Sequence, residues 1–224
     1  MGNNPSHLET FANTSFEILV INLDQRTDRL QYIDKLLRNA GLSYTRMPAV
    51  NGKKFSNITN ICSSEGYKDL TCIGEDDRTG HLAHVGCYLS HLKCLKLASS
   101  SVFGKVLILE DDAKFITNNF KNILNKIVLE NTDVDFIWLN ASKDETNVVQ
   151  KSMMPTWGLQ GYLVNKKAAK VLYNMLIPGS PWISNMHNCL ADWIMPLAVK
   201  DAGLKWKHIS LISQKDFESD IRNS

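Results

Sequence analysis

The chain has 224 residues, 44% hydrophobic and 21% charged, enough to bury a real core and unlike a disordered tail. Its 25 Lys and Arg against 23 Asp and Glu leave a formal charge of +2, which excludes a strongly basic surface for nucleic acid. No apolar run approaches the roughly 20 residues of a transmembrane segment.

Residues 1–14 are polar and unpatterned and read as a flexible N-terminal arm, with residues 15–224 forming one domain. Phe16 to Leu23 reads as a short buried strand. Residues 27–40 carry Leu30, Ile33, Leu36 and Leu37 on one helical face, with Gly41 at the C-cap. Leu42 to Val50 suggests a second strand, so the chain opens β-α-β. Residues 51–80 are polar, rich in Gly, Asn and Ser, and read as a long loop with a task. A helix over about 82–99 leads to the clearest buried strand, Val106-Leu107-Ile108-Leu109. Residues 116–130 are amphipathic, Asp135 to Leu139 is a strand, and 141–152 is polar. Gly158 to Val164 reads as a strand and Lys166 to Met175 as a helix. A last helix near 190–202 ends at Gly203, before a strand over 204–212. This alternation predicts an α/β fold, a mostly parallel central sheet flanked by helices.

Cys62, Cys72, Cys87, Cys94 and Cys189 form an odd set with no C-x-x-C pair, and the N-terminus lacks the pattern of a signal peptide. Free buried thiols and a reducing, cytoplasmic compartment are the expectation.

Glu110-Asp111-Asp112 follows the buried strand directly. Ligands of open α/β sheets bind outside the carboxyl ends of strands, so these acids sit where chemistry is done. If the strand runs on, Glu110 and Asp112 point the same way and converge on one hard divalent cation. The alternative is that Asp111 or Asp112 caps the next helix. A second Glu-Asp-Asp, Glu75-Asp76-Asp77, follows no strand.

His84, Cys87, His91 and Cys94 are spaced 3, 4 and 3 apart, one stripe of a helix. Four ligands strung over three turns of one helix cannot surround a tetrahedral zinc ion. Core cysteines beside a hydrogen-bonded histidine are the preferred reading of the stripe.

Four segments in order resemble glycosyltransferase family 25, which holds lipopolysaccharide-type and procollagen galactosyltransferases. They are Ile21-Asn22-Leu23-Asp24-Gln25-Arg26-Thr27-Asp28-Arg29, Arg46-Met47-Pro48-Ala49-Val50-Asn51-Gly52, Gly86-Cys87-Tyr88-Leu89-Ser90-His91 and Leu107-Ile108-Leu109-Glu110-Asp111-Asp112. Gln214 and Ser219-Asp220-Ile221 extend the likeness over about residues 16–222.

The resemblance implies a GT-A type, Rossmann-like fold and an inverting hexosyltransferase, with UDP-galactose or UDP-glucose as donor. Glu110 and Asp112 are then the metal ligands, for Mn2+ or Mg2+, with Asp111 between them on the donor side. Asn22, Arg26 and Arg29 are expected near the nucleotide; the alternative for Asp28 and Arg29 is an exposed helix-start pair. Ala49, Val50, Asn51 and Gly52 match the second donor-side turn, where Gly52 lets backbone approach the base. Ser90 and His91 match the helix motif and shape the site. Asp192 resembles a late acidic position and is the candidate catalytic base, with an N-cap as its alternative. Trp193 offers a sugar-stacking face or simply buries. Gly158, Gly161 and Tyr162 border the acceptor by the same resemblance, and His208 and Asp220 are candidates for a further metal ligand. The implied acceptor is a glycan or hydroxylysine of a collagen-like protein. A short chain without a leader is closest to bacterial members or to a virus-encoded enzyme of the cytosol. The competing functional reading is a catalytically silent domain that binds a nucleotide-sugar or a protein partner.

Overall fold

The structure is a computed structural model that describes residues 16–68, 70, 79–142, 145–154, 158–186 and 190–217. The arm, the second Glu-Asp-Asp, Cys72, Cys189 and Asp220 lie outside the described residues.

The opening β-α-β forms as expected: β1 (Phe16–Asn22), α1 (Thr27–Asn39) and β2 (Thr45–Pro48). Gly41 takes a left-handed φ of +65° one residue past the cap. Gly41 N–H donates to the Arg38 carbonyl at 2.9 Å and Leu42 N–H to the Leu37 carbonyl at 3.0 Å, closing the last turn of α1. The expected long loop instead holds a 3-10 turn at Gly52–Lys54 and a short helix α2 (Ile58–Ser64). Asn57 starts α2 by accepting from Asn60 N–H at 2.8 Å.

The long helix α3 (Thr79–Ala98) precedes β3 (Lys105–Glu110). The acids do not continue that strand. The chain turns at Asp111-Asp112 into a short strand β4 (Ala113–Phe115), and only then enters α4 (Phe120–Glu130). The rest comprises β5 (Phe136–Asn140), β6 (Gln150–Lys151), β7 (Gly161–Asn165), α5 (Lys166–Leu176), α6 (Pro181–Ser184), α7 (Ala191–Asp201) and β8 (Trp206–Gln214). The α/β class holds, but the sheet is mixed rather than mostly parallel. Its order is β2-β1-β3-β7-β5-β8-β4, with β6 also on β8. β1 pairs in parallel with β2 and β3, and β5 with β8; β7 runs antiparallel to both β3 and β5. Short edge strands β4 and β6 add two more antiparallel pairings.

Alternation along β1 and β3 divides the core. Leu19, Ile21, Val106 and Ile108 face α3, α5 and α7, while Phe16, Ile18, Val20, Leu107 and Leu109 face α1 and α4. Strands apolar on both faces are what a sheet covered by helices on both sides requires. Truncating a fully buried residue here, Leu107→Ala for example, costs about 2–5 kcal/mol. The helix-facing side to which Glu110 belongs is set by the same alternation: it shares the α3 face with Val106 and Ile108.

Candidate active site at the carboxyl ends of two parallel strands

β2 lies on one side of β1 and β3 on the other, so the order of the chain reverses between β1 and β3. A crevice opens at such a switch point, outside the carboxyl ends of the strands. Asn22 ends β1, Glu110 ends β3, and Ile21 is in register with Glu110. Both line a cleft of about 850 Å3, counting space open to solvent, together with Asp111, Asp112 and Arg29. Ala49, Val50, Asn51, Gly52 and Ser90 line it as well.

Arg29 is the organiser of the acids. Its Nη1 donates to Asp111 Oδ1 at 3.0 Å and Asp112 Oδ2 at 3.3 Å, and the group is buried. The exposed helix-start pair is instead Arg26 with Asp28, at 2.9 Å. Arg26 does not line the cleft, so of the two arginines expected near a nucleotide only Arg29 does. Asn22 is a strut. Its Nδ2 donates to Asp111 Oδ2 at 2.7 Å and the Arg26 carbonyl at 3.1 Å, while its Oδ1 accepts from Arg46 Nε at 2.9 Å. Arg46 spans from there to Asp24 at 2.6 Å. Gln214, at the end of β8, donates from Nε2 to Asp112 Oδ2 at 3.0 Å, and Lys215 N–H donates to the Asp112 carbonyl at 2.7 Å.

These contacts leave Asp112 Oδ1 buried with no partner among the described residues. Such an atom is costly unless a ligand or ion satisfies it. The three carboxyls are also short of compensating charge. Burial raises all of them: Glu110 to about 8, with the Asp192 and Asp111 charges adding to the shift, and Asp112 to about 6, with Glu110 adding. For Asp111, burial outweighs the bonds from Asn22 and Arg29 that act the other way. An orphaned oxygen beside carboxyls deficient in positive charge fits a hard divalent cation, whose ligands are oxygens. No helix cap is made by either aspartate, since α4 begins at Phe120 with Asn119 as its cap residue.

The turn after β2 is clamped to α3. Ser90 Oγ accepts from Val50 N–H at 2.8 Å and donates to the Gly86 carbonyl at 2.6 Å. A Cβ on Gly52 would lie 1.6 Å from the Leu82 carbonyl oxygen, and one on Gly86 would lie 2.4 Å from the Val50 carbonyl oxygen. The close approach that demands Gly52 in this structure is to the backbone of α3. Asn51 Oδ1 accepts from Lys53 N–H at 3.1 Å and so fixes the 3-10 turn.

The histidine stripe of α3 splits. Cys94 is in the core, whereas Cys87 lines the cleft. His91 is buried, with Nδ1 at 3.2 Å from Tyr162 Oη and Nε2 at 3.2 Å from Glu110 Oε1. Burial lowers its pKa to about 4, so this is a hydrogen bond of a neutral imidazole and not an ion pair. Tyr162 is fully buried and stacked on Phe136, and Gly161 packs against Ile212, so neither borders an acceptor as expected.

Asp192 lies in the first turn of α7, but Leu190 is the cap residue. The Asp192 carboxylate accepts instead from Gly158 N–H at 3.2 Å, across to the residues before β7. Gly158 has φ +90°, a conformation that favours glycine. Pro196 sits inside α7. Asp192 does not line the donor-side cleft, yet its charge acts on Glu110, His91 and Cys87. Trp193 beside it is 48% exposed. His208 has both ring nitrogens on backbone carbonyls, of Met153 at 3.0 Å and Asn140 at 2.9 Å, so neither is left for a metal.

Sequence reasoning named neither Cys87 as a cleft residue nor the supporting work of Arg46 and Gln214, nor Lys53, a cation on the cleft wall. Arg46 and Gln214 stood within the recognised motifs, but nothing in their spacing gives their partners.

The model for glycosyltransferase family 25 (LPS biosynthesis protein) matches residues 16–154. The chain belongs to glycosyltransferase family 25. The match carries β1 to β6 and so the acidic cluster, the turn and His91; it stops short of Asp192 and Gln214. Procollagen galactosyltransferase 1-B of Xenopus laevis is 27% identical over 175 residues, 70% of this chain and 28% of the relative. A glycosyltransferase 25 family member of Drosophila melanogaster is 33% identical over 116 residues, 49% of this chain and 18% of the relative. The chain thus spans less than a third of the length of either. Among solved structures, a glycosyltransferase involved in the glycosylation of the major capsid of PBCV-1 shares the fold. That likeness has a TM-score of 0.51 at 10% identity and covers 91% of this chain and 94% of the other. The family 25 chain accordingly has a GT-A type fold. Among its described residues no helix is long and apolar enough to cross a membrane.

Proposed function

We propose that this family 25 chain is an inverting, metal-dependent hexosyltransferase. It moves galactose or glucose from a UDP-sugar to a hydroxyl of a glycan or of hydroxylysine in a collagen-like protein. The observation that carries the reading is the buried, unpartnered Asp112 Oδ1 within an acidic cluster at the β1/β3 switch point.

Glu110 and Asp112 would hold the divalent cation, Mn2+ or Mg2+, while Asp111 stays on Arg29 and Asn22. Bound there, it would supply Lewis-acid neutralisation of charge on the departing diphosphate. Asn22, Arg29 and the turn Ala49-Val50-Asn51-Gly52 shape the nucleotide end of the cleft, and Lys53 adds positive charge to its wall. Ser90 holds that turn in place and neutral His91 orients the Glu110 carboxyl. The acceptor oxygen attacks the anomeric carbon from the face opposite UDP as the bond to the diphosphate breaks, and Asp192 takes the hydroxyl proton. Gly158 N–H aims that carboxylate, and the half-exposed Trp193 gives the acceptor an aromatic face. A reducing, cytoplasmic compartment suits the free thiols of Cys87 and Cys94.

The test is UDP release from a panel of UDP-sugars with Mn2+, without it, and with EDTA. Release from one donor that EDTA abolishes is expected once an acceptor hydroxyl is supplied. UDP-dependent thermal stabilisation in Mn2+ with no release from any donor and acceptor pair would instead establish a silent, nucleotide-sugar-binding domain.

A further inference from the structure

The wall of the cleft below the acids carries a different donor set. Cys87 Sγ, a ring nitrogen of His91 and a carboxylate oxygen of Glu110 all lie within 4.8 Å of one another. Cys87 and His91 are one helical turn apart on the same face of α3, and Glu110 reaches them from the end of β3. One helix alone cannot surround an ion; a helix and a strand end meeting at an angle can. Tyr162 Oη holds Nδ1 of His91 at 3.2 Å, which turns Nε2 toward Glu110. A partner on the second ring nitrogen is what orients a ligating imidazole. Cys87 reaches the cleft, so the site has an entry path.

We infer that Cys87, His91 and Glu110 form a second cation site, selective for a thiophilic divalent ion such as Zn2+. In tetrahedral zinc sites neighbouring S and N ligands stand about 3.5 Å apart, so side-chain adjustments of an ångström or so close this trio on the ion. One thiolate and one imidazole give preference for Zn2+ over Mn2+ or Mg2+, which favour oxygen. The surroundings are negative: Asp192 and Asp112 add their charges at Cys87. On binding, the S–H bond breaks, the sulfur electron pair forms the S–metal bond, and the proton leaves to solvent. Three protein ligands leave the fourth position open, as in zinc sites that exchange ligands. Because Glu110 also belongs to the oxygen cluster, occupancy here withdraws it from the other cation. The binding inference stands apart from the transferase reading and is read without activity.

Co2+ is the probe, titrated into the metal-free chain and followed by absorption. The expected result is one equivalent of tetrahedral Co2+ with a thiolate-to-cobalt charge-transfer band. The band is displaced by Zn2+ but not by Mg2+, and is lost in Cys87→Ser. A second measurement uses the wild-type fold only: N-ethylmaleimide labelling of Cys87, read by peptide mass spectrometry. Zn2+ should slow it at least about tenfold at a concentration where Mg2+ leaves it unchanged. No thiolate band in the wild type, a band that persists in Cys87→Ser, or labelling of Cys87 indifferent to Zn2+ would overturn the inference.

Discussion

The two ends of β3 contain the same kinds of residue and treat them in opposite ways. At the amino end, buried Lys105 reaches the Val134 carbonyl. Nearby Asp135 accepts from Asn165 Nδ2 at 2.9 Å and Lys205 N–H at 2.9 Å. Burial raises the Asp135 pKa, but those bonds outweigh it and the net shift is downward. At the carboxyl end, burial wins: Glu110 and Asp112 rise to about 8 and about 6, and Asp112 keeps an oxygen unpartnered. A carboxylate whose bonds are complete stabilises the fold, while one left short of them is available to a ligand. The difference is one of position, since strands parallel to β1 deliver their carboxyl ends to the switch point and their amino ends to closed turns.

Substitutions at the two ends should therefore separate function from stability. The largest effect expected is at Asp112. Asp112→Ala abolishes the Mn2+-dependent thermal shift produced by UDP and leaves the circular dichroism spectrum unchanged; a retained shift would remove the cation from this end of the strand. Arg29→Met strips the cation from two buried carboxylates and lowers stability by about 3 kcal/mol, read by urea unfolding, with part of the loss recovered in Mn2+.

Asp192→Asn keeps an oxygen for Gly158 N–H and so spares the fold. It should leave UDP binding intact while turnover falls about 10²-fold. Near-normal turnover with a lower melting point would make Asp192 a tie between α7 and the Gly158 segment and nothing more. Ser90→Ala orphans the Val50 N–H and costs about 1–2 kcal/mol, with a higher KM for the donor because the turn loosens.

The smallest effect is at the amino end. Asp135 is depressed, so its contribution is present above the usual aspartate range near about 4 and is lost as pH falls through its lower folded value. Wild type should exceed Asp135→Asn by about 1 kcal/mol at neutral pH, and the gap should close toward pH 2 in melting experiments. Donor binding should not change, and if it did, the division between the two ends would fail.

Much of this was legible in the residues themselves. Buried β3 running into three acids, the β-α-β start with Gly41 past α1, and the ordered motifs led to the GT-A fold and to the acidic end of β3. Strand direction was not legible, because β7 between β3 and β5 is as apolar as a parallel neighbour would be. The turn at the acids was hidden for a similar reason. Alternation holds only while a strand continues, and the chain turns after Glu110, so Asp111 and Asp112 share Arg29 while Glu110 faces His91.

The local sequence, then, determined which segments are strands and helices and which faces are apolar, since periodicity and caps act over a few residues. Only the tertiary structure decided that Arg29 serves the acids and not Asp28, and that Asn22 links Arg46 to Asp111. It alone joined Cys87 and His91 to Glu110. Those relations are made between side chains distant along the chain, and packing around the switch point sets them, not spacing.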